Sequence, residues 1–262
     1  MVGRKIKIFN KVDHKIGNSL LKIKDLSKNK KFINISLDIK RGEVVSIAGV
    51  KGSGKEDIIA SLFGFIKIDS GDVLIEQKKI SKFSPEKLIK HGVYYLPDDR
   101  HKYGLCLILS VRNNISMCSL SQVSNKLGFI NNRSENKLAL KYIRDLSINT
   151  PSIFQELQYL SGGNQKKVVF SKYINPNPKL LVLHEPTAGI DVGSKAEIHK
   201  IIEDLARKGI AIILFTSELS EMLNLSNRIL VLYKGRVIKE IMRNDKDFNR
   251  KQLMLYMEGG IT

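Results

Sequence analysis

Long apolar runs are absent from the sequence. The longest are residues 44–50, 180–183 and 210–215, whereas a helix that spans a bilayer needs about 20 consecutive apolar residues. Residues 1–17 are basic but contain neither an apolar stretch nor a small-residue cleavage site, so we expect no secretory signal. These absences exclude a multi-span membrane protein.

Cysteine is scarce. The only two, Cys106 and Cys118, do not form a CxxC pair, and neither has a histidine at zinc-ligand spacing. The five histidines form no cluster in the sequence. We interpret both cysteines as reduced thiols of a cytosolic protein.

Proline is also scarce, with 6 residues in a chain of 262, while 42% of the residues are hydrophobic and 27% are charged. This composition is typical of a folded globular protein and excludes disorder as the main state. A chain of this length can bury the core of one domain of roughly 200–250 residues, or divide into two unequal parts.

Acidic residues are few relative to basic ones. The sequence has 26 Asp and Glu against 44 Lys and Arg, which gives a formal net charge of +18. Such a surplus suits a nucleic-acid partner or an anionic membrane surface. A solvated surface of lysine-rich composition is the plainer interpretation, because the cations are scattered and no aromatic-rich RNA-binding motif accompanies them.

Apolar periodicity predicts an α/β fold in which strands and helices alternate. The predicted strands are residues 20–26, 32–39, 44–48, 72–75, 93–96, 180–183, 210–215, 228–233 and 236–241. The predicted helices are residues 55–63, 85–91, a segment starting at 110, then 134–146, 161–173, 194–207 and 250–257. In the fourth of these, Leu138, Tyr142 and Leu146 form an apolar stripe at helical spacing.

The order of these elements predicts the organisation of the chain. We expect a mostly parallel sheet with antiparallel N-terminal strands, in a domain over residues 20–262. Residues 98–160 carry little strand signal and predict a helical subdomain. Residues 1–19 predict a polar leader or linker.

A glycine-rich loop between a predicted strand and a predicted helix points to phosphate binding. Residues 49–55 read G-x-x-x-x-G-K, and glycines let backbone N–H groups converge on phosphate oxygens at a helix N-terminus. Lys55 would reach the terminal phosphates as a point charge. The candidate nucleotide-binding residues of this segment are Gly49, Lys51, Gly52, Ser53, Gly54, Lys55, Glu56 and Asp57.

The residue after Lys55 departs from the phosphate-loop pattern. A Ser or Thr hydroxyl normally stands there as a Mg²⁺ ligand, but this chain has Glu56 followed by Asp57. Carboxylates at these positions would repel the phosphates. The alternative is that Glu56 or Asp57 supplies a replacement ligand.

Three further motifs follow the phosphate loop in a fixed order. Residues 160–165 read LSGGNQ, residues 180–187 are an apolar strand ending in His-Glu-Pro-Thr, and residues 189–191 read Gly-Ile-Asp. This combination resembles the nucleotide-binding domain of ABC transporters over about residues 20–241, which implies a P-loop NTPase fold of ABC type. Residues 96–105 and 217–219 are similar to the second nucleotide-binding half of monosaccharide importers and of nucleoside importers, whose chains usually carry two such halves.

The resemblance implies roles for several residues. Two such domains meet head to tail, so Ser161, Gly162 and Gly163 would contact a γ-phosphate held by the partner domain, with Gln165 extending that element. Glu185 would polarise the attacking water, and Asp191 would couple the two sites. The resemblance also places Asp98 near the metal and water, at the position of a usual glutamine.

Other positions depart from the family pattern. His184 stands where an Asp usually holds Mg²⁺, Ser217 stands where a γ-phosphate-sensing His is usual, and residues 27–31 offer no aromatic ring to adenine. The usual metal positions are therefore occupied by Glu56, His184 and Asp98, which do not make up a recognisable set of Mg²⁺ ligands. We expect this domain's own site to hydrolyse ATP weakly, while its LSGG segment completes a partner's site.

The leading hypothesis is an ATPase domain, using ATP and Mg²⁺, that energises import of a sugar or nucleoside at the cytoplasmic face of the membrane. Its expected partners are a second nucleotide-binding domain, an integral membrane permease and a periplasmic or lipoprotein substrate-binding protein, with no nucleic acid. Two alternatives stay open. One is a soluble ABC ATPase that acts on nucleic acid or ribosomes, and the other is a non-catalytic nucleotide-sensing subunit.

Overall fold

The computed structural model describes residues 15–81 and 83–260. Residues 1–14 of the predicted leader lie outside this range. The described chain divides into two compact units, one formed by residues 15–81, 83–87 and 202–260, and the other by residues 88–201.

The described residues form strands and helices close to the predicted bounds. The strands are β1 (Ser19–Lys28), β2 (Phe32–Lys40), β3 (Val44–Ala48), β4 (Ser70–Ile75), β5 (Lys78–Lys79), β6 (Val93–Leu96), β7 (Leu180–His184), β8 (Ala211–Phe215), β9 (Arg228–Tyr233) and β10 (Arg236–Met242). The helices are α1 (Lys55–Leu62), α2 (Pro85–Lys90), α3 (Val111–Ser116), α4 (Leu120–Val123), α5 (Asn132–Asp145), α6 (Gly162–Ile174), α7 (Val192–Arg207), α8 (Leu219–Leu225) and α9 (Arg250–Met257). None of these described helices combines the length and hydropathy that a bilayer-spanning segment requires.

The first unit contains antiparallel and parallel strands, as predicted. Strands β2, β1, β4 and β5 form an antiparallel sheet in that order. Strand β3 pairs in parallel with both β8 and β9, and β10 pairs antiparallel with β9. All five residues of β3 are buried, which is expected of a parallel strand covered on both faces. Its one polar side chain, Ser46, shares a 2.6 Å hydrogen bond with Ser226.

In the second unit, β6 and β7 pair in parallel, and helices α3, α5 and α6 surround a separate apolar core. Tyr142 is a buried member of this core, and Leu138 and Leu146 pack against it, which confirms the predicted stripe. Helix α5 begins two residues earlier than predicted because the Asn131 side chain accepts a hydrogen bond from the Ser134 N–H at 3.1 Å and caps it.

Several short elements were not predicted. Helices α4 and α8 are each seven residues or shorter, and Arg100–Gly104 forms a single π-helical turn. Elements of this length carry too few residues for an apolar period to emerge. The π turn lies inside the predicted helical subdomain, next to the candidate functional residues.

Candidate functional site

The phosphate loop of the first unit has the backbone geometry that its glycines allow. Gly54 precedes α1 with φ of +97°, in the left-handed region that favours glycine. A Cβ on Gly49 would lie 2.8 Å from the carbonyl oxygen of Leu232, which leaves no room for a side chain. The Gly235 N–H donates to the Ser53 carbonyl at 2.9 Å, so the turn between β9 and β10 supports the loop.

Two polar side chains of the loop are buried. Ser53 is 1% exposed, and its hydroxyl oxygen has no partner among the described atoms. Lys55 is 8% exposed and is the first residue of α1. A buried hydroxyl and an ammonium beside a helix N-terminus suit an anionic ligand such as a phosphate.

The two acidic residues after Lys55 have structural partners. Asp57 forms an ion pair with Lys31. Glu56 is about half exposed, and its carboxylate lies 4.0 Å from the Lys55 ammonium. Both acids also lie in the first turn of α1, where negative charge stabilises a helix. The Asp57 carboxylate is thus occupied by Lys31.

In the second unit, the parallel pairing of β6 and β7 brings Tyr95 and Asp98 towards His184. Burial raises the pKa of Tyr95 to about 12, with smaller contributions from Asp98 and Tyr103. The phenol therefore keeps its proton at neutral pH and can donate it to His184 Nδ1, 3.0 Å away. Asp98 Oδ1 is 4.0 Å from the same nitrogen.

These residues do not fit a magnesium ion. Mg²⁺ prefers oxygen ligands in octahedral geometry, whereas imidazole nitrogen suits zinc, copper, iron or nickel. His184 Nδ1 also has Tyr95 as its hydrogen-bond partner. Nowhere in the described chain do three His, Cys, Asp or Glu side chains gather as a metal site.

Glu185 follows β7 in an unusual backbone conformation. Its φ is +46°, and its carbonyl accepts a hydrogen bond from the Ala188 N–H at 3.1 Å. A left-handed conformation at a residue other than glycine is strained, and such strain is common at functional sites. Strand β7 therefore ends just before Glu185, which begins the turn.

The predicted signature segment begins helix α6. Ser161 caps this helix, and its hydroxyl oxygen accepts a hydrogen bond from Asn164 Nδ2 at 2.9 Å. Gln165 is 6% exposed, and its amide is committed to other protein groups. Its Nε2 donates to the Leu157 carbonyl at 3.2 Å, and its Oε1 accepts from Arg100 Nε at 3.2 Å. Ser161 itself is exposed.

Asp191 lies beside the signature helix. Its carboxylate accepts hydrogen bonds from the Ser194 N–H at 3.0 Å and from the Ser194 hydroxyl at 2.7 Å, and it thereby holds the first turn of α7. The backbone hydrogen bond from Ser194 lowers the pKa of Asp191. A Cβ on Gly163 would lie 2.8 Å from the Cβ of Ser194, so the two helix starts touch here.

Arg100 is a contact residue that sequence reasoning did not identify. Besides Gln165, its guanidinium lies against two glycines, 3.1 Å from where a Cβ of Gly162 would be and 3.3 Å from that of Gly189. Burial lowers the pKa of Arg100. Asp99 caps the π turn, accepting from the N–H groups of His101 at 2.9 Å and Lys102 at 3.0 Å. The resemblance of residues 96–105 to the importer family pointed to this segment, but it implied a role only for Asp98 and none for Arg100.

Comparisons with known proteins agree with these motifs. A family model described as "ABC transporter" matches residues 32–188. A ribose import ATP-binding protein of Clostridium tetani is 41% identical over 259 residues, which are 98% of this chain and 50% of that protein. A xylose import ATP-binding protein of Thermoanaerobacter pseudethanolicus is 38% identical over 269 residues, 99% of this chain and 53% of that protein. The chain thus spans about half the length of the curated relatives it matches.

Solved structures share the fold. The structure of cbiO1 from Clostridium perfringens, part of the ABC transporter complex cbiONQ, has a TM-score of 0.75 and 24% identity, covering 92% of this chain and 95% of that chain. The ADP conformation of MJ1267, an ATP-binding cassette of an ABC transporter, has a TM-score of 0.74 and 23% identity, covering 92% of this chain and 96% of that chain. At these identities the likeness confirms the predicted fold class.

Proposed function

Because the chain belongs to the ABC transporter family, we propose that it is the ATP-binding domain that energises import of a simple sugar across the cytoplasmic membrane. The import names of its relatives support the transport of a sugar, and a nucleoside is the alternative substrate. The observation that carries the ATP-binding role is the phosphate loop, whose Ser53 and Lys55 are buried at the start of α1. The contrast between an exposed Ser161, which caps the signature helix, and Glu56, which stands in place of a hydroxyl, supports unequal roles for the two nucleotide sites.

We propose that the signature segment acts on a nucleotide held by a partner domain. Ser161 would offer its hydroxyl, and Gly162 and Gly163 their N–H groups and the positive end of the helix dipole, to a γ-phosphate. The contacts of Gln165 and Arg100 support this role because they hold the helix start from inside the protein.

At the chain's own phosphate loop, we propose that ATP binds but turns over slowly. Ser53 and Lys55 would contact its phosphates. The family resemblance implies that Glu185 is the general base that polarises the attacking water. His184, held by Tyr95, supplies no oxygen ligand, so this site lacks the charge stabilisation that a metal provides. The Mg²⁺ implied by the family resemblance would accompany the nucleotide of the partner domain.

The proposed assembly follows the same family. The partners would be a second nucleotide-binding domain in the same or another chain, an integral membrane permease, and a periplasmic or lipoprotein substrate-binding protein. The chain would be peripheral at the cytoplasmic face of the membrane, with residues 1–19 as a leader or inter-half linker and residues 20–262 as the nucleotide-binding domain. No nucleic-acid partner is expected.

The nucleotide part is tested on the purified chain. We expect a fluorescent ATP analogue to bind, Lys55→Ala to weaken that binding, and the exposed control Lys246→Ala to leave it unchanged. ATP hydrolysis should stay near background with or without magnesium. Robust Mg²⁺-dependent hydrolysis that is abolished by Glu185→Gln would overturn the slow-turnover proposal, and absence of nucleotide binding would overturn ATP as the ligand.

The transport part is tested in the source organism. A deletion strain should lose uptake of one labelled substrate from a panel of ribose, xylose, galactose and nucleosides. The wild-type chain should restore that uptake, and the variant Gly162→Asp should fail to restore it. Full restoration by Gly162→Asp would instead favour the non-catalytic sensing subunit.

A further inference from the structure

An exposed apolar tip lies between α4 and α5 in the second unit. Its three apolar side chains are far more exposed than is usual for their type: Leu127 is 81% exposed, Phe129 70% and Ile130 46%. None of the proposed nucleotide or signature contacts uses this tip, which we define as residues 124–130. Clustered exposed apolar side chains commonly mark an interaction surface.

The backbone of the apolar tip is hydrogen-bonded within itself. The Asn125 side chain accepts from the N–H groups of Leu127 at 2.9 Å and Phe129 at 3.0 Å. The Asn125 N–H donates to the Phe129 carbonyl at 2.9 Å, and the Gly128 N–H donates to the Asn125 carbonyl at 3.0 Å. Four backbone N–H groups of the tip therefore have protein partners, which lowers the cost of taking them out of water.

Helix α5, which follows the tip directly, carries a row of cations on its exposed side. Arg133, Lys137, Lys141 and Arg144 recur at spacings of four, four and three residues, so they lie on one face of the helix. Leu140, 57% exposed, lies within the same row. The opposite face is buried in the core of the unit. We call these four cations the cationic stripe.

Of the two acids near the cationic stripe, one is buried and the other is paired with a cation of the stripe. The only acid between residues 120 and 144 is Glu135, which is 1% exposed and is paired with Arg112 at 3.1 Å. Asp145 pairs with Arg144 at 3.6 Å. The cations Arg133, Lys137 and Lys141 form no ion pair with any carboxylate in the described part of the chain. The surface is therefore strongly positive beside an apolar tip.

We propose that the apolar tip and the cationic stripe bind an anionic lipid bilayer, with the tip seated among the headgroups. Exposed aliphatic and aromatic side chains next to a cationic helix face are the features of proteins that lie on anionic membranes. Nucleic acid fits less well, because three of the four exposed apolar residues here are aliphatic and cannot stack on bases. This proposal rests on the proposed function only for the presence of a bilayer near the chain.

The test is sedimentation of the purified full chain with vesicles of phosphatidylcholine, either alone or with about one third phosphatidylglycerol. We expect binding to the anionic vesicles. This binding should weaken as salt is raised from about 0.1 M to 0.5 M, since the Debye length shortens from about 10 Å to a few ångströms. Binding to the neutral vesicles should be at least about tenfold weaker.

Two double variants separate the two features of the surface. Lys137→Glu with Lys141→Glu should weaken anionic binding by about tenfold or more, and Leu127→Ser with Phe129→Ser should do the same by removing inserted apolar surface. The matched controls are Arg250→Glu with Lys251→Glu for charge and Phe65→Ser for exposed aromatic surface. Each variant should melt at the same temperature as the wild type, which excludes misfolding as the cause of lost binding. Each should also bind the ATP analogue as the wild type does, so a failure of the nucleotide proposal is recognised separately.

A spectroscopic measurement reports insertion directly. The chain has no tryptophan, so Phe129→Trp introduces a single tryptophan at the tip, which can be excited selectively over the tyrosines, and Phe65→Trp serves as the control. We expect a blue shift with anionic vesicles for the tip variant alone. Equal binding to neutral and anionic vesicles, binding unaffected by the double variants, or competition by RNA at physiological salt would each overturn the proposal, the last in favour of nucleic acid.

Discussion

The contact between Gly163 and Ser194 makes a quantitative prediction about the signature segment. In Gly163→Ala, the new methyl group would meet the Cβ of Ser194 at 2.8 Å and its hydroxyl oxygen more closely still. Rotation of the Ser194 side chain can move the hydroxyl oxygen but leaves the Cβ in place. The backbone of one helix start must therefore shift.

The expected cost combines two opposing terms. Overpacking of this kind destabilises by about 1–3 kcal/mol, and alanine in place of glycine inside a helix returns up to about 1 kcal/mol. We expect a net loss of about 1–2 kcal/mol in the free energy of unfolding, which corresponds to several degrees in Tm for a chain of this size.

Gly162→Ala is the matched control. The nearest atom to its new methyl group would be the Arg100 Nη2 at 3.1 Å, at the end of a flexible side chain. We expect its stability to stay within about 0.5 kcal/mol of the wild type. Urea unfolding followed by circular dichroism measures both variants.

The double variant with Ser194→Gly tests the reasoning itself. Removing the Ser194 side chain relieves the clash but also removes its hydrogen bond to Asp191, so the informative quantity is the coupling energy of the double-mutant cycle. We expect a favourable coupling of about 1 kcal/mol or more. A coupling near zero, or equal stability of Gly162→Ala and Gly163→Ala, would refute the steric argument.

Three further predictions concern other parts of the chain. Burial raises the pKa of Tyr95 to about 12, so the folded state keeps a proton that the unfolded state loses above pH 10. The free energy of unfolding should therefore fall between pH 10 and 12, and it should fall less in Tyr95→Phe. Urea unfolding at each pH measures both. In the wild type, the buried Glu43 carboxylate lies 2.7 Å from the guanidinium of Arg228. Glu43→Ala removes this partner and should lower the free energy of unfolding by about 3 kcal/mol, as measured by thermal unfolding. The family resemblance implies that Glu56 and His184 both stand at positions where metal ligands are usual. The double variant Glu56→Thr with His184→Asp should therefore make ATP-analogue binding magnesium-dependent, and binding that EDTA does not change would contradict the proposal that these two residues prevent magnesium binding.

Much of the fold could be predicted because its signals are local. The apolar run of β3 and the stripe on α5 each lie within one element, where spacings of two or three to four residues identify the buried side. The bounds of α5 differed from prediction because Asn131 caps the helix in place of a serine three residues later. Short elements such as α4 were missed because they hold only about one turn.

The motifs by themselves predicted which residues form the candidate site and their order along the chain. A glycine-rich turn after a strand, a capped helix that begins within LSGG and an acidic residue after a buried strand each follow from neighbouring residues in the sequence. These signals identified Lys55, Ser161 and Glu185, and they showed that Glu56 and His184 depart from the usual pattern.

Only the tertiary structure decided what surrounds those residues. In the folded chain, Asp57 forms an ion pair with Lys31, His184 is hydrogen-bonded to the phenol of Tyr95, and Gln165 is hydrogen-bonded to Arg100. The members of these pairs are 26, 89 and 65 positions apart. Contacts at such separations depend on how whole elements pack, which no local period encodes. The tertiary structure also decided which face of α5 is buried, and it thereby left the cationic stripe exposed.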